Sequence, residues 1–191
     1  DVRTTTGTPD APSMRDWEWF FLKSELNKPH PSVPVRYLRF GSSINSNAVW
    51  SPDGSKIAIA GPHQTLIILD GTTFEITKLI PRRQSRFIPR LSWSPDATQV
   101  ALLNWWDNTS VYDVETGLCT VRIDLTTPGS TSLAWHPVLP RLAMGVNDNK
   151  IGIFDTQTGD LLSTVNTTSA FIMDIVWNQT GSRLAWGGAD G

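Results

Sequence analysis

The sequence predicts an all-β fold, a partial β-propeller of about three and a half four-stranded blades with a short N-terminal helix. Three observations carry that reading. Trp50, Trp93, Trp135 and Trp177 recur at spacings of 43, 42 and 42 residues, inside the period of about 40–45 residues that four-stranded propeller blades require. Eight residues past each tryptophan stands an alanine, Ala58, Ala101, Ala143 and Ala185, each preceded by an aliphatic residue. At offsets nineteen and twenty come Leu69-Asp70, Tyr112-Asp113 and Phe154-Asp155, and the fourth copy reaches Gly191 before that offset.

Taken in chain order, residues 1–12 read as a flexible tail and 13–30 as a helix and linker. In MRDWEWFFLKSEL, Trp17, Phe20, Phe21 and Ser24 fall at helical spacing with Asp16 placed to cap them. The propeller segment covers 31–191. It opens with a lead strand at 33–40, VPVRYLRF, where Leu38 precedes its tryptophan by twelve residues as Ile123 and Val165 precede theirs. Blades follow at about 45–84, 85–127 and 128–169, and a partial one at 170–191. Within a copy, the tryptophan lies on a first strand and Ser51-Pro52-Asp53-Gly54 turns the chain, since Pro presets φ and Gly tolerates its positive values. Leu66 and Ile68, like Ile151 and Ile153, alternate at the period of a strand, with Asn147-Asp148-Asn149 turning into the second pair. A turn after each Asp leads to a fourth strand whose apolar residues include Leu79, Val121 and Leu162. A sheet apolar on both faces needs a neighbour on each side, which stacked blades supply. The small Ala suits a crowded inner position and the large Trp suits the gap between blades.

These motifs, SPDG after an aromatic, an apolar-Ala strand, and the aromatic-Asp pairs of VYDVETG and IFDTQTG, resemble the WD-repeat (WD40) family over about residues 33–191. Two features depart from it. The family's Gly-His dipeptide is absent from every copy, and Leu69, Tyr112 and Phe154 stand where it has the Trp of Trp-Asp. The resemblance implies that the lead strand completes the last blade. That blade stops fourteen residues past Trp177, so the chain reads as a fragment, or as one that borrows strands; self-association through the incomplete last blade is the corresponding expectation. Upstream, RDWEWFFLKSEL is similar to the segment before the WD-repeat tails of some bacterial multidomain serine/threonine kinases. No glycine-rich nucleotide loop, His-Arg-Asp or Asp-Phe-Gly motif occurs in the chain.

Composition narrows the chemistry. With 39% hydrophobic residues and a net charge of −2, a soluble globular fold is expected, with no global attraction to nucleic acid or anionic membrane. No apolar run approaches a membrane span, so no membrane partner is expected. Cys119 is the only cysteine, which rules out an internal disulfide and leaves the compartment undefined, the cytoplasm being favoured. His30, His63 and His136 are scattered without Cys pairs, so neither a metal nor a cofactor is expected. Asp70, Asp113 and Asp155 repeat at one offset, which favours turn capping over acid–base catalysis and argues against an enzyme. A propeller enzyme with a site outside this segment remains an alternative.

Recognition has named candidates. Arg82, Arg83, Arg86 and Arg90 surround Phe87 in PRRQSRFIPR, the basic cluster of the chain, between the first two blades. Trp105 and Trp106 occupy the turn between second and third strands of the second copy. In the family these two kinds of connection share a face. Arginines beside large aromatics are the residue types of binding hot spots, and they suit a protein or peptide partner that is acidic or phosphorylated. The competing reading is a solvated Arg loop with tryptophans filling gaps between blades. Three functions follow: a noncatalytic scaffold binding protein or peptide on the inter-blade loop face, a regulatory or sensing tail of a larger bacterial signalling kinase, or the propeller enzyme.

Overall fold

The computed structural model describes residues 47–61, 65–81, 90–103, 108–124, 132–146, 149–168 and 172–188. The expected tail, helix and lead strand lie outside the described residues, as do Arg82, Arg83, Arg86, Phe87, Trp105 and Trp106.

Fourteen strands are described, and they assort by repeat. Blade one consists of β1 (Ala48–Trp50), β2 (Lys56–Gly61), β3 (Thr65–Asp70) and β4 (Ile76–Pro81). Blade two consists of β5 (Arg90–Trp93), β6 (Gln99–Leu103), β7 (Thr109–Asp113) and β8 (Cys119–Ile123). Blade three consists of β9 (Leu133–Trp135), β10 (Arg141–Val146), β11 (Lys150–Asp155) and β12 (Leu161–Asn166). A hairpin of β13 (Ile172–Trp177) and β14 (Leu184–Gly188) forms the described part of blade four. Every sheet is an antiparallel meander in sequence order. This is the all-β, partial-propeller architecture that the repeats predict.

The alternation of side chains across each strand gives every blade two apolar faces, and the cores form between blades rather than within them. Leu91, Trp93, Val100, Leu102 and Tyr112 of blade two pack on Ala58, Ala60, Leu66, Ile68 and Ile80 of blade one. Blade three repeats the arrangement, with Trp135, Leu142 and Phe154 against Ala101, Val111 and Ile123. Ile172 and Ile175 of blade four then meet Ala143, Ile151 and Ile153. Of the alanines at the eighth offset, Ala58, Ala101 and Ala143 are fully buried, whereas Ala185 in the β13–β14 hairpin is exposed, and Ala58 sits at the centre of its sheet, paired with Val49 and Ile68.

The repeated tryptophans join adjacent sheets. Trp93 Nε1–H donates to the carbonyl of Val49 at 3.0 Å, and Trp177 Nε1–H to that of Ala134 at 3.2 Å. In each case the acceptor is the residue just before the preceding repeat's tryptophan. Trp135 adds a backbone bond, its N–H donating to Ser92 Oγ at 3.0 Å. Trp50 departs from the expected gap-filling role. It is 54% exposed where Trp93 is 6% exposed, because among the described residues no sheet lies on its side of blade one.

The turns are held by carboxylates. Asp53 accepts hydrogen bonds from the Ser51 and Ser55 hydroxyls at 2.6 and 2.7 Å and from the Ser55 amide at 3.0 Å. Asp96 accepts from the Ser94 hydroxyl and from Thr98 in the same way. At the next turn of each copy Asp70 accepts from the amides of Thr72 and Thr73, Asp113 from the amide and hydroxyl of Thr116, and Asp155 from the amides of Gln157 and Thr158. Hydrogen bonds to the charged form favour it. The Ser51 hydroxyl, followed by Ser55, lowers the Asp53 pKa from 3.8 to about 2. Asp70, Asp96 and Asp113 are lowered for the same reason, chiefly by the Thr73 amide, the Ser94 hydroxyl and the Thr116 amide respectively.

Between third and fourth strands a β-bulge recurs at one repeat position, after Ile68, Val111 and Ile153. The extra residues are Thr77, Thr120 and Leu162. Both threonine hydroxyls donate back across the bulge, to the carbonyls of Ile68 and Val111 at 3.1 and 3.3 Å. Of the expected apolar residues of the fourth strand, Val121 is buried, whereas Leu79 and Leu162 are exposed. Leu79 faces the same uncovered side as Trp50, since it pairs with Ile67, and Leu162 is itself a bulge residue.

Two measurements test this packing. Replacing Trp93 by Ala removes a buried indole and is expected to cost about 3–5 kcal/mol in urea denaturation, whereas Trp50→Ala costs less than half as much. Equal losses would mean that the tryptophans are not inter-blade wedges. Because Asp53 titrates below its unfolded value, the stability it contributes is present above about pH 4 and is lost as pH falls through about 2, and the lowered Asp70, Asp96 and Asp113 act in the same direction. The urea midpoint should therefore hold between pH 7 and 5 and drop between pH 4 and 2. Asp53→Asn should lower the midpoint at pH 7 and flatten that drop.

Candidate functional site

The meander gives each blade two edges of opposite character. One edge carries the Asp-held turns, in which each of these aspartates accepts from hydroxyls or amides through at least one carboxylate oxygen. The other receives the inter-blade connections and the turns between second and third strands. The ladders place it unambiguously: Gly61 pairs with Thr65 and Thr65 with Pro81, Thr109 pairs with Ile123, and Lys150 pairs with both Val146 and Asn166.

Of the candidate binding residues, Arg90 is placed on this second edge. Arg90, the member of the Arg cluster among the described residues, is exposed at the start of β5 and is the direct partner of Leu103 at the end of β6. Residues 82–89 thus rejoin the sheet at Arg90, beside the point where residues 104–107 leave it, roughly 5 Å apart between α-carbons. The two stretches that the sequence singles out are tethered to neighbouring backbone positions of blade two. On the same edge Thr109 Oγ1 is buried without a hydrogen-bond partner, a cost of about 1–3 kcal/mol.

The remaining candidates occupy structural positions. Trp93 and Trp135 are buried between blades, Trp177 packs against His136 with ring centroids 4.7 Å apart and planes tilted by 58°, and Trp50 is exposed. Asp70, Asp113 and Asp155 each sit at the end of a third strand and hold the turn that follows. Among the described residues no group of three or more His, Cys, Asp or Glu side chains is arranged to hold a metal ion, and no helix is long and apolar enough to cross a membrane.

His136 is a residue whose role sequence reasoning does not reach. It stands where the other copies have Ser51, Ser94 and Asn178. Its Nδ1 accepts from the amides of Val138 and Leu139 at 3.1 and 2.9 Å, which places the ring proton on Nε2, directed at the carbonyl of Gly181 at 3.2 Å in the next blade. A side chain at Gly181, where φ is +72°, would collide with the imidazole. Both ring nitrogens are thereby engaged in a turn and an inter-blade joint, which leaves neither for a metal or a proton transfer. The one signal in the sequence is an imidazole at a position that holds Ser in two copies and Asn in the third.

Residues 129–180 match the family model of the anaphase-promoting complex subunit 4 WD40 domain. No curated protein matches the chain. Among solved structures, a chain of Kuenenia stuttgartiensis hydrazine synthase is similar with a TM-score of 0.62 and 19% sequence identity, covering 73% of this chain. This chain spans 40% of that one. As 1239 solved chains match, and the identity is this low, the likeness concerns the fold alone. The WD40 match falls on blade three and the start of blade four, where the Asp155 turn, the buried Ala143 and the Trp177 joint repeat those of earlier copies. Residues 129–180 thus match a WD40 family model, and the described sheets fold as consecutive blades of a β-propeller.

Proposed function

We propose that this chain is a noncatalytic interaction scaffold that holds an acidic or phosphorylated peptide or protein segment on the loop edge of blade two. WD40 propellers suit protein interaction because their blades present one rigid edge after another to a partner. The observation that carries the reading is the pairing of Arg90 with Leu103, which tethers the Arg82–Arg90 stretch and the Trp105-Trp106 turn to adjacent backbone positions. Guanidinium groups supply paired donors to carboxylate or phosphate, and neighbouring indoles supply apolar area at little entropic cost. Asp53, Asp70, Asp96, Asp113 and Asp155 of the opposite edge, by contrast, accept hydrogen bonds within their own turns.

The test is retention on an array of acidic peptides in phosphorylated and unphosphorylated forms. The wild-type chain should retain a subset, and Arg82, Arg83 and Arg86 replaced together by Ala should retain none, with a change in stability within about 0.5 kcal/mol. Trp105→Ala or Trp106→Ala should weaken retained peptides by tenfold or more, about 1.4 kcal/mol. Unchanged retention by the triple variant would reduce the cluster to solvated surface.

A further inference from the structure

We propose, resting on the loop-edge function above, that the segment held there is bipolar: beside the acidic or phosphorylated residue received by Arg90, it carries a lysine or arginine that pairs with Asp174. The inner strand of each blade reaches the loop edge three residues before its tryptophan, at Asn47, Arg90, Ser132 and Asp174. The joints hold these positions at one height. Trp93 bonds to Val49, the Trp135 amide to Ser92 and Trp177 to Ala134, in each case the residue just before the preceding tryptophan. Four consecutive inner strands therefore present one row, which this chain fills with an amide, a guanidinium, a hydroxyl and a carboxylate. Arg90 and Asp174 are exposed, and Ser132, on the strand between them, is buried.

Side-chain alternation decides where the two charges lean. Leu91 packs on blade one, so Arg90 beside it lies on the side of its sheet that faces blade three. Ile175 packs on blade three, so strict alternation would turn Asp174 away from that blade. A β-bulge intervenes. β13 pairs Ile172 with Gly188 and Asp174 with Gly187, which leaves Met173 as an extra residue. The inner strands of blades one, two and three pair without such a shift. Bulges re-aim side chains, and here Ser132 Oγ donates across the joint to Asp174 Oδ1 at 3.4 Å. The same oxygen accepts from the Ile175 amide at 3.1 Å. The carboxylate is thus drawn toward blade three from one side, and the guanidinium lies toward blade three from the other.

Two sheet spacings of about 10 Å separate the strands of Arg90 and Asp174. That is too far for either side chain to neutralise the other, and it matches two residues of an extended partner about three to six positions apart. A segment acidic throughout would meet a like charge at Asp174, so a partner that crosses from blade two to blade four is favoured when its charge changes sign on the way. Lys150 and Asp124 also reach this edge, but on a third strand and just past a fourth. At about 4.8 Å per strand they lie about 10 and 15 Å outside the inner row, which leaves Arg90 and Asp174 as its charged members among the described residues.

Fluorescence anisotropy on the 191-residue chain tests this with the acidic and phosphorylated peptides that the array retains. Each is made in three forms, with Lys, Ala or Glu about three to six residues to either side of the acidic or phosphorylated position. The wild type should bind the Lys form about threefold more tightly than the Ala form, and the Glu form more weakly than either. That preference should fade in about 1 M salt, where the Debye length is about 3 Å. Asp174→Asn, which keeps the Oδ1 acceptor, should bind the three forms alike, with the affinity for the Ala form and the urea midpoint unchanged. Asp174→Lys should favour the Glu form. A wild type that binds all three forms equally overturns the proposal and leaves the loop-edge function standing, as does an Asp174→Lys variant that keeps the wild-type order. A wild type that retains no acidic or phosphorylated peptide overturns both.

Discussion

The structure depends on an indole that reaches from each sheet into the one before it. A four-stranded sheet with apolar residues on both faces has no stable existence by itself, and the anchor tryptophan supplies both the area and the alignment that join it to a neighbour. The donor is the anchor and the acceptor is the carbonyl one residue before the preceding anchor, as Trp93 with Val49 and Trp177 with Ala134 show. That rule sets the height of blades two and four relative to the blade before, and the Trp135 amide on Ser92 Oγ does so for blade three. A slip of one residue in β5 would turn Trp93 to the wrong face. The one extra residue of the first repeat therefore cannot lie within a strand, and it does not: it falls between Ile80 and Trp93, in the connection that carries the arginines.

What the sequence made legible were the features that every blade needs. The tryptophan wedge, the buried alanine and the Asp at the end of the third strand recur because each blade meets the same packing and turn constraints. What it concealed were features that pattern matching treats as noise. Thr77 and Thr120 are ordinary strand residues by composition, yet both close a bulge with a hydroxyl, and Leu162 occupies the same bulge without one. Phe74 in place of Gly117 and Gly159 looks like a chance apolar residue until its positive φ is seen. The exposure of Trp50 was illegible for a related reason, since burial belongs to a pair of sheets and a single repeat encodes only one of them.

The candidate site divides in the same way. Arginines and tryptophans were recognisable by type, and their common edge follows from the meander: once Trp93 pairs with Val100, antiparallel register carries Arg90 to Leu103. The joint at His136 needed three-dimensional information. Its Nδ1 replaces a serine hydroxyl in holding a turn, while its other nitrogen crosses to Gly181. A sequence contains the substitution but not the second partner.

The array is also polar along its stacking direction. A blade's tryptophan is covered by the blade before it, but its fourth strand is covered by the blade after it. Ile123 and Val165 hold the same repeat position, yet Ile123 is 1% exposed against a full blade three and Val165 is 37% exposed against the β13–β14 hairpin. The inner strands of a following blade thus suffice to bury the inner strands of the one before, while the outer strand needs an outer strand. The two faces left uncovered among the described residues differ accordingly. One presents aromatic rings and an indole N–H, the other aliphatic side chains such as Val165 and Val176. A surface that satisfies the first must bring a hydrogen-bond acceptor into an apolar setting, whereas the second asks only for apolar cover. Hydrogen bonding to a buried donor is directional and costly to leave unmade, so the aromatic face is the more discriminating of the two.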